Sequence, residues 1–288
     1  MRDIPTSPRI MKIRRNRRMR ILRFFILFLI LFASLVWALS YFSNDEHMAI
    51  NKVVITGTHI LDQEEIEREV RQDISGKYIY LFSRDNGFIY PRKQIYDNLI
   101  LNFPRIESLS VSREGLKTLK IEITERMGSY LYCGTNIPES KNEVGENCYF
   151  INNDGYIFDK APYFSGNVYF KYYVALVDGT TNPLAKQMVS VDRFHELGRF
   201  IDGIASLGFK PIYVAIDKDG TNSLYLNHGA SDTTPKIIFK NDADLEIILD
   251  NLTLAMRKKE FADEINSKYN KLLYIDLRFK NKVLYKFQ

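Results

Sequence analysis

Apolar positions run together near the start of the chain and later recur at helical and strand spacing. Phe24 to Phe42, FFILFLILFASLVWALSYF, is apolar on every face and carries no charge. About 20 such residues cross a hydrocarbon core about 30 Å thick, and only a helix does so without leaving backbone groups unpaired. A buried core helix is seldom apolar all round for this length. The run therefore reads as a membrane span, with Trp37 and Tyr41 near the end where amphipathic rings prefer an interface. Beyond it, Ile50 to Thr56 is a β-branched strand. Asp62 is placed to cap a helix, with Glu65 as capping-box partner and Ile66, Val70 and Ile74 on one face; Gly76 ends it. Tyr78 to Phe82 is a short irregular apolar piece, and Asn86-Gly87 signals a turn. A second helix starts near Pro91 or Arg92, buries Ile95, Leu99 and Phe103, and stops before Pro104. Two strands follow, Ile106 to Arg113 and Lys117 to Thr124. In the second, Leu119, Ile121 and Ile123 alternate with Lys120 and Glu122. The order is β-α-α-β-β.

From Met127 the spacing predicts a second domain. Ser129 to Cys133 and Tyr149 to Asn152 read as paired strands, with Asn153-Asp154-Gly155 as a hairpin turn and Tyr156 to Phe158 returning. Val168 to Val177 is a strand or two, and Thr180 to Gln187 a loop. Asp192 is placed to cap a helix that buries Phe194, Leu197, Ile201 and Ile204, with Gly208 as its stop. Strands are predicted at Lys210 to Ile216, Ser223 to Leu226 and Lys236 to Phe239, joined by a turn over Asp217 to Asn222 and a polar loop over Asn227 to Thr234. Asp242 and Asp244 suit a helix start, and Leu245, Ile248, Leu249, Leu252 and Met256 give that helix its apolar face. Leu273 to Phe279 and Val283 to Phe287 are closing strands around Lys280-Asn281-Lys282.

Charge changes the picture at the amino end. Residues 1–23 carry nine Lys/Arg against the single acid Asp3, so in a chain of formal net charge +5 the remainder is −3. The basic balance belongs to the tail, which can rest on anionic headgroups. Nothing beyond it argues for nucleic-acid binding. By the positive-inside rule the amino end is cytoplasmic and everything after residue 43 is outside. A cleaved signal peptide is the rival; the apolar run exceeds the usual 7–15 residues, and no clear A-x-A site follows it. Outside the cytoplasm a disulfide can persist. Cys133 and Cys148 bracket the polar stretch GTNIPESKNEVGEN, and a bridge there competes with two free thiols. Half a metal site fits poorly, because no His lies near either Cys.

The wording then resembles a known family. ITGTHILDQEEIEREV followed by NFPRIESLSVSREGLKTLKIEITERM resembles the POTRA domain of the bacterial division proteins FtsQ and DivIB. Pro104-Arg105-Ile106, Val111-Ser112-Arg113, Thr118-Leu119-Lys120-Ile121 and Glu125-Arg126 occupy the family's pattern. Gly115-Leu116-Lys117 stands where a proline is usual. YFINNDGYIFD resembles the family's later hairpin, and Tyr274-Ile275-Asp276-Leu277-Arg278-Phe279 its carboxy-terminal strand pair. The fold expected is α+β: a cytoplasmic tail (1–23), a transmembrane helix (24–42), a POTRA domain (48–126) and a mixed antiparallel β domain with flanking helices (127–288). Glu125-Arg126 is either a solvated pair at a strand end or, by the resemblance, the joint between two domains.

No catalytic constellation is visible. His47, His59, His195 and His228 are scattered, and no P-loop, G-x-G-x-x-G, G-x-S-x-G or H-E-x-x-H occurs. No cofactor, metal or small-molecule substrate is expected. The resemblance implies a non-enzymatic, single-pass divisome scaffold of the bacterial inner membrane at the septum. It would bind bitopic FtsB/FtsL-like proteins outside the membrane and help organise septal peptidoglycan synthesis. A membrane-anchored POTRA chaperone or transport subunit and an anchored cell-wall hydrolase are the alternatives.

The last strand is expected to be a sheet edge that accepts a partner strand. Val283, Tyr285 and Phe287 alternate with Lys282, Leu284 and Lys286, so one set can pack inward while the other faces out. By motif position the resemblance carries contacts to Arg278, Phe279, Asn281, Lys282 and Phe287. The edge adds Val283, Leu284 and Tyr285.

Overall fold

The computed structural model describes residues 8–137, 147–164, 168–176, 182–217, 219–227 and 234–288. Outside them lie residues 1–7 of the tail, 138–146 of the predicted cysteine loop, 165–167, 177–181, 218 and 228–233. The first helix, α1, runs without interruption from Pro8 to Ser43. Its part from Asn16 to Ser43 is long and apolar enough to cross a membrane. Its apolar side chains are exposed to whatever surrounds the helix, Phe24, Phe28 and Phe32 among them. Beyond it the fold is mixed α+β, with a small three-stranded sheet and its two helices followed by a large β-sheet domain.

The chain divides into two compact units, one reaching to Asn102 and resuming over Ser108–Glu125, the other formed by Phe103–Glu107 and Arg126–Gln288. In the first, β1 (Lys52–Thr56) leads to α2 (Gln63–Asp73), a small hairpin of β2 (Lys77–Tyr78) and β3 (Phe82–Ser83), α3 (Arg92–Asn102), β4 (Ile106–Glu114) and β5 (Thr118–Glu125). The sheet order is β1-β5-β4, with β1 parallel to β5. The buried residues are the ones at helical and strand period: Ile66, Val70 and Ile74, Ile95 and Leu99, and Leu119, Ile121 and Ile123 of β5. Lys120 and Glu122 face away from that core and pair at 2.6 Å. Asp62 accepts a hydrogen bond from the Glu64 backbone N–H and so caps α2. After β1 the chain must pass close to β5. Gly57 has φ +86°, and a Cβ there would meet the Ile123 carbonyl oxygen at 2.0 Å, so only glycine fits.

The second unit holds β6 (Tyr130–Tyr132), β7 (Tyr149–Ile151), β8 (Tyr156–Lys160), β9 (Lys171–Val174), β10 (Lys186–Gln187), α4 (Val191–Ser206), β11 (Pro211–Ile216), β12 (Thr221–Leu226), β13 (Lys236–Lys240), α5 (Leu245–Met256), α6 (Lys259–Ser267), a 3-10 turn (Tyr269–Lys271), β14 (Leu272–Asp276) and β15 (Leu284–Phe287). Its sheet runs β10-β8-β7-β6-β9-β11-β12-β13-β14-β15. Two antiparallel meanders, β6-β7-β8 and β11-β12-β13, are joined through β9, which is parallel to both β6 and β11. β13 and β14 are also parallel. One core lies between the sheet and the helices. It includes Tyr172, Val214, Leu224, Ile237, Phe239 and Ile275 from the strands and Phe194, Leu197, Phe200, Ile204, Leu252 and Ile265 from the helices.

Several boundaries differ from the sequence reading. The cap of α4 is Ser190, which accepts from the Arg193 N–H, and Asp192 falls inside the first turn. Phe200 is the fully buried member of the face assigned to Ile201. The strand expected over Leu273 to Phe279 stops at Asp276, because that carboxylate turns back to accept the Arg278 N–H at 3.0 Å. α6 was not foreseen. It buries Ile265 with Phe261 against the common core.

The sulfurs of Cys133 and Cys148 are bonded, 2.02 Å apart. Closing a loop of about 15 residues restricts the unfolded chain by an amount worth about 3 kcal/mol in the chain-entropy model.

Candidate partner-binding edge

β15 is the terminal strand of the ten-stranded sheet. It pairs antiparallel with β14 on one side, and among the described residues no strand pairs with its other side. Its side chains alternate: Leu284 and Lys286 are exposed, and Tyr285 and Phe287 are half-buried against the core, with Val283 joining them. The inward set is fixed from α6. The Tyr285 hydroxyl donates to Glu264 at 2.7 Å, its ring lies 5.2 Å from Phe261, and Lys268 stands 5.4 Å over the Phe287 ring. The hydrogen bond from Tyr285, helped by one from Lys268, holds the Glu264 carboxyl below its usual range, and the same contact raises the Tyr285 phenol.

The turn before β15 carries the other carried-over residues. Asp276 is almost fully buried at the end of β14. Arg278 grips it through Nε to Oδ1 at 3.0 Å and Nη2 to Oδ2 at 2.7 Å. Burial pushes the Asp276 carboxyl up, but the Arg278 hydrogen bonds and charge outweigh it and leave the group below its ordinary value. Arg278 is thus committed to its own chain. Phe279 is 49% exposed. Asn281 adopts a left-handed φ of 59°, which its short polar side chain tolerates. Lys282 is exposed, and its N–H closes the turn on the Phe279 carbonyl at 3.1 Å.

The candidate residues therefore sort by direction. Phe279, Asn281, Lys282 and Leu284 face outward. Val283, Tyr285 and Phe287 point into their own domain and can serve a partner strand only through their backbone. Arg278 orders the turn. Lys286 also faces outward.

Glu125 and Arg126 each bind a different segment of the chain. The Glu125 carboxylate accepts from the His59, Ile60 and Leu61 N–H groups at 2.7 to 3.0 Å, fixing the entry to α2. Arg126 donates to the Pro104 carbonyl at 3.1 Å and sits 4.5 Å over the Tyr156 ring. The division between the two compact units falls between these two residues. A further cation escaped the sequence reading. Arg105 is buried, donates to Asp159 at 2.7 Å and lies 5.2 Å over the Phe158 ring. Its guanidinium gave no signal beyond its place in Pro104-Arg105-Ile106.

Among the described residues no group of three or more His, Cys, Asp or Glu is placed to hold a metal. His195 reaches Asp154 at 3.1 Å, both well exposed. His228 lies outside the described residues. What the edge offers chemically is a row of backbone donors and acceptors flanked by an exposed aromatic ring and lysines. Compared with known families, residues 48–126 match the model described as POTRA domain, FtsQ-type. A search of the curated proteins returns no match to the chain.

Proposed function

We infer that this chain, FtsQ/DivIB-like in carrying an FtsQ-type POTRA domain behind one apolar helix, is a non-enzymatic scaffold of the bacterial division machinery. It crosses the inner membrane once, with the amino end in the cytoplasm and both folded units outside. There, at the septum, it binds bitopic division proteins of the FtsB/FtsL kind and helps organise peptidoglycan synthesis. The observation that carries the binding role is the open side of β15. A terminal strand presents unpaired N–H and C=O groups, and strand addition draws affinity from those and specificity from alternate side chains. Lys282 and Lys286 discourage indiscriminate pairing. The FtsQ-type POTRA family is generally a scaffold without a reaction of its own, which supports the non-enzymatic assignment.

Orientation is tested by single cysteines in intact spheroplasts. One at Glu46, exposed just past the helix, is expected to react with a membrane-impermeant thiol reagent, and one at Thr6 is not. The reverse labelling removes the outside location of the edge. Binding is tested by recovery of co-purifying membrane proteins from dividing cells with the full chain. Phe279→Glu and Leu284→Glu each place a charge in a contact that must lose water. Each is expected to weaken recovery by about tenfold, roughly 1.4 kcal/mol, without altering thermal stability. Both side chains are exposed in the free protein, whereas cutting the chain after Phe279 also strips Tyr285 and Phe287 from the core. Recovery at wild-type level from both point variants moves the binding surface away from β15.

A further inference from the structure

The turn joining β2 and β3 is built from the wrong residues for a turn in water. Ile79 and Tyr80 both have positive φ, 49° and 63°, a conformation natural to Asn and Gly and unfavourable for a β-branched side chain. Both are also unusually bare: Ile79 is 80% exposed and Tyr80 94%. Leu81 beside them is exposed as well, and Lys77 and Arg84 flank the apolar tip.

The hairpin is fastened to the end of α1. The Leu81 carbonyl accepts from the Ser40 hydroxyl at 2.7 Å and from the Asn44 side chain at 2.9 Å. The Ser83 N–H donates to the Ser43 hydroxyl at 3.0 Å, and the Asn86 side chain to the Ser43 carbonyl at 3.1 Å. The Gly87 N–H donates to the Met48 carbonyl at 2.8 Å. Partners thus climb from Ser40 to Met48 as the hairpin chain runs from Leu81 to Gly87. Tyr80 and Ile79 adjoin Leu81 in the chain and are thereby held near the level of Ser40. That level lies inside the apolar run, which ends at Phe42. The rings of Trp37 and Tyr41 stack there, 6.1 Å apart, and both are more than 70% exposed.

We propose that the β2–β3 tip dips into the outer leaflet beside α1, so that Ile79, Tyr80 and Leu81 contact lipid and Lys77 reaches the headgroups, while Arg84 stays on its own chain, bonded to Gln94 and packed over the Tyr78 ring. Aromatic and aliphatic side chains with a flanking cation are what an interface selects. A bilayer also explains why a turn exposed to this degree is not polar. Lipid is preferred to a protein occupant because the tip is held at the depth where α1 itself enters the apolar phase. The inference rests on the reading of α1 as a membrane span.

Trp37 is the only tryptophan in the chain, so the full-length protein provides its own gauge. It is reconstituted in phosphatidylethanolamine–phosphatidylglycerol vesicles containing brominated lipid. Wild type is compared with Trp37→Phe/Tyr80→Trp and with Trp37→Phe/Ile60→Trp, the last reporting from beyond the far end of β1, where Ile60 is exposed. The reporter at position 80 is expected to be quenched to within about twofold of Trp37, and the one at position 60 to be unaffected. A reporter at 80 that stays in water while Trp37 is quenched overturns the proposal and leaves the span intact. An unquenched Trp37 overturns both. A reporter at 80 that is shielded without lipid quenching, to a degree set by the protein-to-lipid ratio, means a second copy covers the tip, which also overturns it.

Discussion

Asp159→Ala is expected to destabilise the second unit by about 2–3 kcal/mol. Arg105 is 7% exposed and donates through Nε at 2.7 Å to Asp159, with the Phe158 and Phe150 rings 5.2 and 6.0 Å away. Removing one member of a buried pair leaves the other charge uncompensated, at a cost of about 3–5 kcal/mol. Asp159 has a side chain 39% exposed, so water can partly replace it and the loss falls toward the lower end. The decisive comparison is the double variant Arg105→Met/Asp159→Ala. It replaces the cation with an apolar side chain suited to a site lined by aromatic rings, and most of the lost stability should return. Denaturant unfolding of the full chain in detergent, read by near-UV circular dichroism, reports the two transitions. If the double variant is no more stable than Asp159→Ala, the pair is not what holds this site together.

Arg278→Ala is expected to cost about 2 kcal/mol and to reverse a pH dependence. In the wild type the folded pKa of Asp276 lies below its unfolded value. Its contribution is therefore present above an unfolded value of about 3.9 and is lost as pH falls through the folded one. Without the guanidinium, burial acts on the carboxyl with less opposition and raises its pKa. The contribution is then fully present below the unfolded value and is lost as pH rises through the raised one. Between about pH 4 and 7 the stability of the variant relative to wild type should fall as pH rises. The cost stays below that of a fully buried broken pair because Arg278 is 37% exposed and the Arg278 N–H still reaches Asp276. A constant difference across that range would mean the carboxyl does not sense its partner. The variant also separates two readings of the Tyr274–Phe279 motif. The resemblance assigns Arg278 to a partner, while its bidentate bond assigns it to the turn.

Much of the first unit was legible because its signals are periodic. In β5 apolar and charged residues alternate, and in α2 Ile66, Val70 and Ile74 repeat at one-turn spacing, so local pattern and tertiary burial agree. α6 was invisible for the opposite reason. In nine residues only Phe261 and Ile265 mark its inner face, and its N-cap position is a lysine without a side-chain bond. The positions of Arg105 and Asp159 were legible only as motif letters, since nothing in either segment announces a partner 54 residues away. Of the candidate edge, the alternation of β15 was readable, but the direction of Arg278 depended on Asp276 being buried, which sequence does not disclose. Ile79-Tyr80 hid its turn entirely, because neither residue belongs to the usual turn chemistry.

The joining of two meanders through β9 also sets how fast this sheet can assemble. Strands within each meander are neighbours in sequence, whereas β9 must find β6 on one side and β11 on the other across long intervening segments. Loop-closure entropy has to be overcome before those parallel pairs return any energy, and non-local pairing slows folding. The meanders should therefore form early and the β9 pairing late. Conservative truncations of Val174, buried in the common core, are expected to speed unfolding and leave the refolding rate nearly unchanged, in contrast to truncations within β12. The time the sheet needs to complete itself, its open edge at β15 included, would then be governed by its middle, five strands away from that edge.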